Sequence, residues 1–279
     1  MIPNSSAPRR LIITADDFGL HEAINEAVEQ AHRQGVLTAA SLMVGAPAAA
    51  EAVQRARRMP TLRVGLHLVL ADGAAVLPHR EIPDLVDADG RFGHSMLRDG
   101  FRFFFLPHVR RQLMAEIKAQ FEVFQTFGLM LDHVNAHKHF HLHPTVLSLM
   151  LSVGEQFGIH AVRFPSEEGS SIYLRPWLAT MRRRLNRAGI AHNDRIVGLR
   201  QTGSMDEAAL LAALDRMPDG VTEIYLHPAT RNGFSESMAS YRHTDELAAL
   251  ASPQVRVVMD RLGVIRGGFS DFWPAQASA

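Results

Sequence analysis

The sequence predicts an α/β fold whose mainly parallel strands form a distorted or incomplete (β/α) barrel. Three observations predict it. Short apolar runs alternate with amphipathic stretches along the chain, so strands and helices succeed one another. About seven such units occur, too many for a small sandwich and suited to a barrel. Polar, chemistry-bearing residues gather at the ends of the apolar runs, where α/β folds place their active groups. The 279 residues carry no interdomain linker, repeat or low-complexity segment, so we read one domain over 1–279.

Each element can be justified in order. "RRLIITADDFG" is a buried strand running into a loop. "HEAINEAVEQAHRQG" places Ile24, Ala27, Val28 and Ala31 at helical spacing, with Gly35 as its stop. "LTAASLMVG" is a second strand, and "APAAAEAVQRARRMP" a helix with Pro47 near its first turn. "LRVGLHLVL" is a third strand. Residues 71–100, punctuated by Gly, Pro and Asp, form a long loop of the functional or lid kind. "PHVRRQLMAEIKAQFEVFQTFG" is a long helix, "MLDHVNAHKH" a strand, "PTVLSLMLSVGEQFG" a helix and "IHAVRFP" a strand. A basic amphipathic helix follows at 175–189. "RIVGL" and "VTEIYLHP" are late strands flanking the helix "SMDEAALLAALDRM", with Ser204 or Asp206 as its cap. "SPQVRVVMD" reads as one more strand, and residues 265–279 give no signal.

Composition excludes several functions. Formal net charge is zero, so no overall field attracts nucleic acid. There is no cysteine, which removes disulfides, thiolate ligands and cysteine nucleophiles and fits a cytoplasmic location. The first residues lack the apolar run of a signal peptide, and no stretch of about 18 apolar residues exists for a membrane span. The 15 histidines are the oddity, and five of them crowd into "DHVNAHKHFHLHP" (132–144).

Four polar groups fall at strand ends. Asp16 and Asp17 end the first strand. Side by side they repel unless a cation or shared proton relieves them, which suits one aspartate on a metal and the other as a base. His67 sits in the apolar run "GLHLVL". His133, His137, His139, His141 and His143 share one parity, so strand alternation cannot choose among them. Closeness to the strand end favours His137 and His139 over His143. His227, in "IYLHPAT", suits acid catalysis because imidazole titrates near neutrality. One Asp and two His would hold a divalent cation and leave positions open for water and substrate. Zinc or magnesium is preferred, with manganese, nickel and cobalt admitted.

"LIITADDFGL", "VGLHLVL", "HVNAHKHFHLHP" and "EIYLHPA" resemble, in order, the motifs of the YdjC/ChbG-like carbohydrate deacetylases, over residues 9 to about 230. "TADDFGLHEAINEAVEQAHRQGVLTAASLMV" and "FRFFF" resemble the hopanoid-biosynthesis-associated subgroup most. The resemblance implies a polysaccharide-deacetylase-like barrel and a divalent metal on Asp17, His67 and His137. It implies Asp16 as general base and His227 as the late His-Pro histidine. The chain departs from the family where an Asp often stands two residues before the cluster's ligand; here it is Asn135.

The expected reaction is metal-assisted hydrolysis of an N-acetyl sugar, with His227 or His139 protonating the amine. The resemblance implies an N-acetylglucosaminyl hopanoid lipid as substrate, with soluble N-acetylated chitooligosaccharides as the alternative. Asn135 and Arg163 are candidate substrate contacts, and a surface ion pair is the other reading of Arg163. Phe101, Phe103, Phe104, Phe105 and Leu106 read either as core or as an apolar groove for a lipid tail. Trp177 beside Arg182, Arg183 and Arg184 reads as a solvated face or as peripheral contact with an anionic inner membrane. Two rivals remain: a two-metal phosphoesterase, for which matched acids are few, and a non-catalytic histidine-rich metal-binding protein.

Overall fold

The first strand, β1 (Arg9–Phe18), is buried on both faces from Leu11 onward, and its near-continuous apolar run places it mid-sheet. The structure, a computed structural model, describes residues 8–169 and 171–274. After β1 come α1 (Glu22–Gln34), β2 (Ala39–Leu42), α2 (Ala49–Arg57) and β3 (Arg63–Leu68). Then follow α3 (Met96–Phe105), α4 (Pro107–Thr126), β4 (Val134–Ala136) and α5 (Pro144–Gly154). The second half holds α6 (Arg175–Arg187), β5 (Arg195–Val197), α7 (Glu207–Asp215) and β6 (Gly220–Leu226). The described chain ends with α8 (His243–Ala251), α9 (Pro253–Arg261), β7 (Ile265–Arg266) and α10 (Phe269–Phe272).

The strand order is β4-β3-β2-β1-β6-β5, every named pair is parallel, and β7 joins the first half of β1. This is the expected incomplete barrel. Past β4 the curl continues through single bridges, Val134 to Val162 and Ala161 to Ala191. The expected strand "IHAVRFP" is therefore a strand-like link: Arg163 N–H reaches the Val134 carbonyl on one side, and Val162 N–H the Ala191 carbonyl on the other.

Local chemistry explains the helices. His21 caps α1 by accepting from Ala23 N–H at 3.0 Å, while Ala23, Ile24, Ala27, Val28 and Ala31 face the core. Gly35 ends it as expected, and close packing demands the glycine, since a Cβ there would lie 2.3 Å from the Leu250 carbonyl oxygen. Asp206, not Ser204, caps α7 through Ala209 N–H. "SPQVRVVMD" is helical, which corrects the strand expectation. Ser252 caps it, Pro253 occupies its first turn, and Val255 and Met259 form its buried face. Those start signals outweigh the β-branched valines.

The long loop is shorter than expected, because α3 begins at Met96 and takes in "FRFFF". Of these rings Phe103 is buried, as the core reading expects, whereas Phe101, Phe104 and Phe105 face outward. Residues 71–95 lean on α4. Gln112, Glu116 and Gln120 stand one turn apart on one face. Gln112 receives Asp84 N–H, Glu116 receives Val76 and Leu77 N–H, and Gln120 bonds both Val69 backbone groups.

Candidate active site

β1, β3, β4 and β6 bring their ends together, and five expected residues gather there: Asp16, Asp17, His67, His137 and His227. The β1–β2 register shifts between Ala15 and Phe18, and Asp17 takes a left-handed φ of 62°. The kink sends the adjacent carboxylates to different partners, which relieves their repulsion. Asp16 receives a two-pronged contact from Arg163, at 2.5 and 2.9 Å, and Asn135 Nδ2 at 3.2 Å. Burial alone would raise its carboxyl, but the Arg163 guanidinium holds it far below the usual carboxylate range. Asp17 Oδ1 lies 3.0 Å from His137 Nδ1 and 3.2 Å from His67 Nε2. Burial is again overridden, here by His137 first, and the carboxyl is held well down. His137 is pulled upward by Asp17 against its own desolvation.

His67 faces Asn135 across the β3–β4 pair, and its Nδ1 meets Asn135 Oδ1 at 2.6 Å. An amide oxygen only accepts, so Nδ1 carries a hydrogen, and Nε2 is the nitrogen turned toward Asp17. Donor atoms of Asp17, His67 and His137 lie within 4.8 Å of one another, and Asp17 Oδ2 is buried without a partner. A mixed O/N/N donor set with a spare carboxylate oxygen fits a divalent cation. His137 keeps 12 % of its side chain exposed, and this is the open side of the cluster. A cavity of about 100 Å³ adjoins it, walled by Leu20, Met43 and Val69 and by the polar Asp72, Arg91 and Ser235.

The other four histidines of the crowded segment point elsewhere. Lys138 and His139 adopt left-handed φ of 53° and 54°, which destroys the strand alternation just after His137. His133 lies behind the site between Asp132, at 2.8 Å, and Ser41, at 3.0 Å. An added Cβ on Gly65 would lie 2.5 Å from its ring, so only glycine fits beside it. His139 meets the Tyr225 hydroxyl at 3.2 Å. Burial first and Arg163 second push its pKa well below neutrality, so it stays uncharged. His141 Nε2 donates to the Arg163 carbonyl at 3.1 Å, and burial takes it down to about 3. His143 packs near the rings of Phe103, Phe104 and Phe140.

His227 follows the pairing of Leu226 with Ala15, which sets it beside the Asp16 strand end. Its Nδ1 is buried without a partner, between the rings of Tyr225 and Tyr241. Burial lowers its pKa, and Asp17 and Asp16 oppose the fall.

Two expected substrate contacts are corrected. Arg163 is fully buried and holds Asp16 and Glu223 together, so it is neither a surface ion pair nor a wall of the site. Asn135 is fully buried as well and touches Asp16, Ser41 and His67. Sequence reasoning missed Glu223, Ser41 and Glu246. Glu223 had a legible signal, an acid inside the apolar run "VTEIYLH". It receives Thr14 Oγ1 at 2.7 Å and Arg163 at 2.8 Å. Glu246 lies on α8 and receives the His227 and Met205 N–H groups.

An incomplete parallel barrel that gathers one Asp–His–His cluster, able to hold a cation, beside a second, separately held aspartate defines a class of barrels with a polar strand-end site. The chain belongs to the YdjC-like protein family, whose pattern matches residues 10–261. It is 31 % identical to the carbohydrate deacetylase of Brevibacillus brevis, over 88 % of this chain and 93 % of that one. It is also 31 % identical to the carbohydrate deacetylase of Geobacillus stearothermophilus, over 95 % and 99 %. A solved Enterococcus faecalis structure named for cellobiose-phosphate cleavage superposes with a TM-score of 0.76 at 25 % identity, over 95 % of this chain and 99 % of that one.

Proposed function

We propose that the protein is a metal-dependent N-deacetylase that hydrolyses the acetamide of an N-acetylglucosaminyl hopanoid lipid to a free amine and acetate. The observation that carries the hydrolase reading is the Asp17–His67–His137 donor cluster with Asp16 beside it on separate partners. The family and the deacetylase relatives support the same reaction class. Asp17, His67 and His137 would hold the divalent cation, which when bound polarises a carbonyl and acidifies a water. Asp16 takes the proton of the attacking water as its oxygen bonds the acetyl carbon. The C–N bond then breaks, and His227 gives a proton to the departing nitrogen. Held uncharged against Arg163 and Tyr225, His139 suits the acid role less well than His227. Arg163 orients Asp16 from below. The cavity beside His137 has room for a few heavy atoms, in keeping with an acetamido group.

The lipid part of the reading rests on α3. Leu97, Phe101, Phe104 and Phe105 lie exposed on it, Phe101 to 63 %. Phe104 packs against His143, so this apolar face adjoins the end of the histidine segment. Arg182 and Arg184 support a basic membrane face less, because they are tied to the Asp194 carbonyl and to Ser148. No helix among the described residues is long and apolar enough to cross a membrane. Peripheral contact at the inner membrane would therefore rest on the α3 face. The soluble chitooligosaccharide reading draws on the relatives' designation as carbohydrate deacetylases.

Acetate release should be measured from an acetylglucosaminyl hopanoid and from di-N-acetylchitobiose, after chelation and after metal return. Metal-restored release from the hopanoid is expected. Release from the soluble sugar alone would replace the lipid reading, and release from neither by metal-loaded protein would end the deacetylase reading.

A further inference from the structure

Behind the donor cluster runs a chain of buried polar groups to which the proposed reaction gives no part. Asn135 Nδ2 reaches Ser41 Oγ at 2.9 Å, and Ser41 Oγ lies 3.0 Å from His133 Nε2. His133 Nδ1 meets Asp132 Oδ2 at 2.8 Å. Asp132 in turn receives the backbone N–H groups of Phe269 and Ser270 and the Ser270 hydroxyl, all from α10. Asp132, His133, Ser41, Asn135 and His67 are all buried.

With a neutral His133 ring, the direction of donation along this chain has one consistent solution. Asp16 is a carboxylate and only accepts, so the Asn135 atom facing it must be the NH₂ group. The other NH₂ hydrogen goes to Ser41. Ser41 then gives its own hydrogen to His133 Nε2, and His133 gives its Nδ1 hydrogen to Asp132. The Asn135 carbonyl oxygen is left facing His67. Turning the amide over would set its oxygen against the Asp16 carboxylate at 3.2 Å and an NH₂ hydrogen against the His67 N–H.

We propose that Asn135 is the positioning residue of the site: it holds a hydrogen on His67 Nδ1, so that Nε2 is the nitrogen offered to a cation beside Asp17 and His137, and it fixes the Asp16 carboxylate from the same amide. The chain Ser41–His133–Asp132 holds the amide in that orientation from α10. An aspartate at this position would serve His67 equally, since it too accepts. It has no hydrogen for Asp16 and would set two carboxylates face to face. The neutral amide therefore does two jobs that an acid could do only one at a time. This inference rests on the metal-site reading above, and its test is separable from it.

The test uses the full-length protein with ¹⁵N-labelled histidine, the His67 signals being assigned by their loss in His67→Gln. In the wild type the His67 ring should show a protonated Nδ1, and Nε2 should be the nitrogen whose signal zinc shifts. Asn135→Leu should mix the two tautomers and weaken zinc binding about 10- to 100-fold, while circular dichroism is unchanged. Asn135→Asp, nearly the same shape, should keep the Nδ1–H tautomer and bind zinc within about threefold of wild type, yet lose about 10- to 100-fold in turnover. An Nδ1–H tautomer and near-wild-type zinc affinity in folded Asn135→Leu would overturn the proposal. Should that variant not fold, the aspartate variant decides alone: a tenfold loss of zinc affinity, or wild-type turnover, would each overturn it. If the wild type deacetylates no acetylated sugar, the functional reading fails, while the ring-nitrogen and zinc measurements still decide the role of Asn135.

Discussion

Replacing Arg163 by methionine should be strongly destabilising. The guanidinium is fully buried, grips Asp16 at 2.5 and 2.9 Å and Glu223 at 2.8 and 3.0 Å, and lies 4.9 Å from the centre of the Tyr225 ring. Methionine fills much of the volume but leaves two carboxylates buried with no counter-charge. Breaking a buried ion pair by removing one partner costs about 3–5 kcal/mol. The loss should depend on pH, and its sign follows from the structure. In the wild type the Asp16 carboxyl is held below its ordinary value, so its contribution is present above pH 3.8 and fades only as pH falls through the depressed value. Without the guanidinium, burial is left to raise the Asp16 carboxyl. Its contribution is then largest at low pH and lost as pH rises. The difference between wild type and Arg163→Met should thus be greater at pH 8 than at pH 5. Urea unfolding followed by circular dichroism at both pH values measures it. Adding Glu223→Gln to the methionine variant removes one uncompensated charge and should recover about 1 kcal/mol or more. A loss under about 1 kcal/mol at both pH values, compared with the cost just given, would refute the assignment of Arg163 as the central counter-charge.

Three further outcomes are expected. Burial pushes Glu246 up to about 7 despite its two backbone donors. A raised carboxyl contributes stability below pH 4.5 that is lost as pH rises through 7, a change of about 3 kcal/mol, which unfolding of Glu246→Gln across that range should lack. Zinc at a hundred times its dissociation constant should stabilise the wild type by about 2.7 kcal/mol, read as a rise in thermal midpoint, and should leave Asp17→Asn unmoved. Phe101→Ser with Phe104→Ser should keep wild-type stability, since both rings are exposed, and lower sedimentation with lipid vesicles; unchanged sedimentation would count against the membrane-facing role of α3.

The legible parts of the site were those that obey strand-end geometry. Asp16, Asp17, His67, His137 and His227 follow buried runs, and the parallel order of β1, β3, β4 and β6 brings their ends together. The five crowded histidines were less legible. Their roles are sorted by left-handed backbone at Lys138 and His139, and nothing in residue type announces a positive φ at a lysine. Arg163 was misjudged because a charge near a strand end is usually solvated; its burial depends on Glu223, which arrives 60 residues later in the chain. The valines of α9 suggested a strand, while the serine and proline ahead of them encoded the helix.

The ladder of Gln112, Glu116 and Gln120 has a consequence for how this architecture can diversify. The segment 71–95, part of which walls the cavity beside His137, ties its backbone to itself and, at Val76, Leu77 and Asp84, to the face of α4. Its shape is written in a helix that contributes no atom to the donor cluster. A relative can lengthen, shorten or redecorate that wall by altering the segment and one helical face together, while the strand ends that hold the chemistry stay as they are. Differences in accepted substrate between family members should accordingly track paired changes in these two stretches.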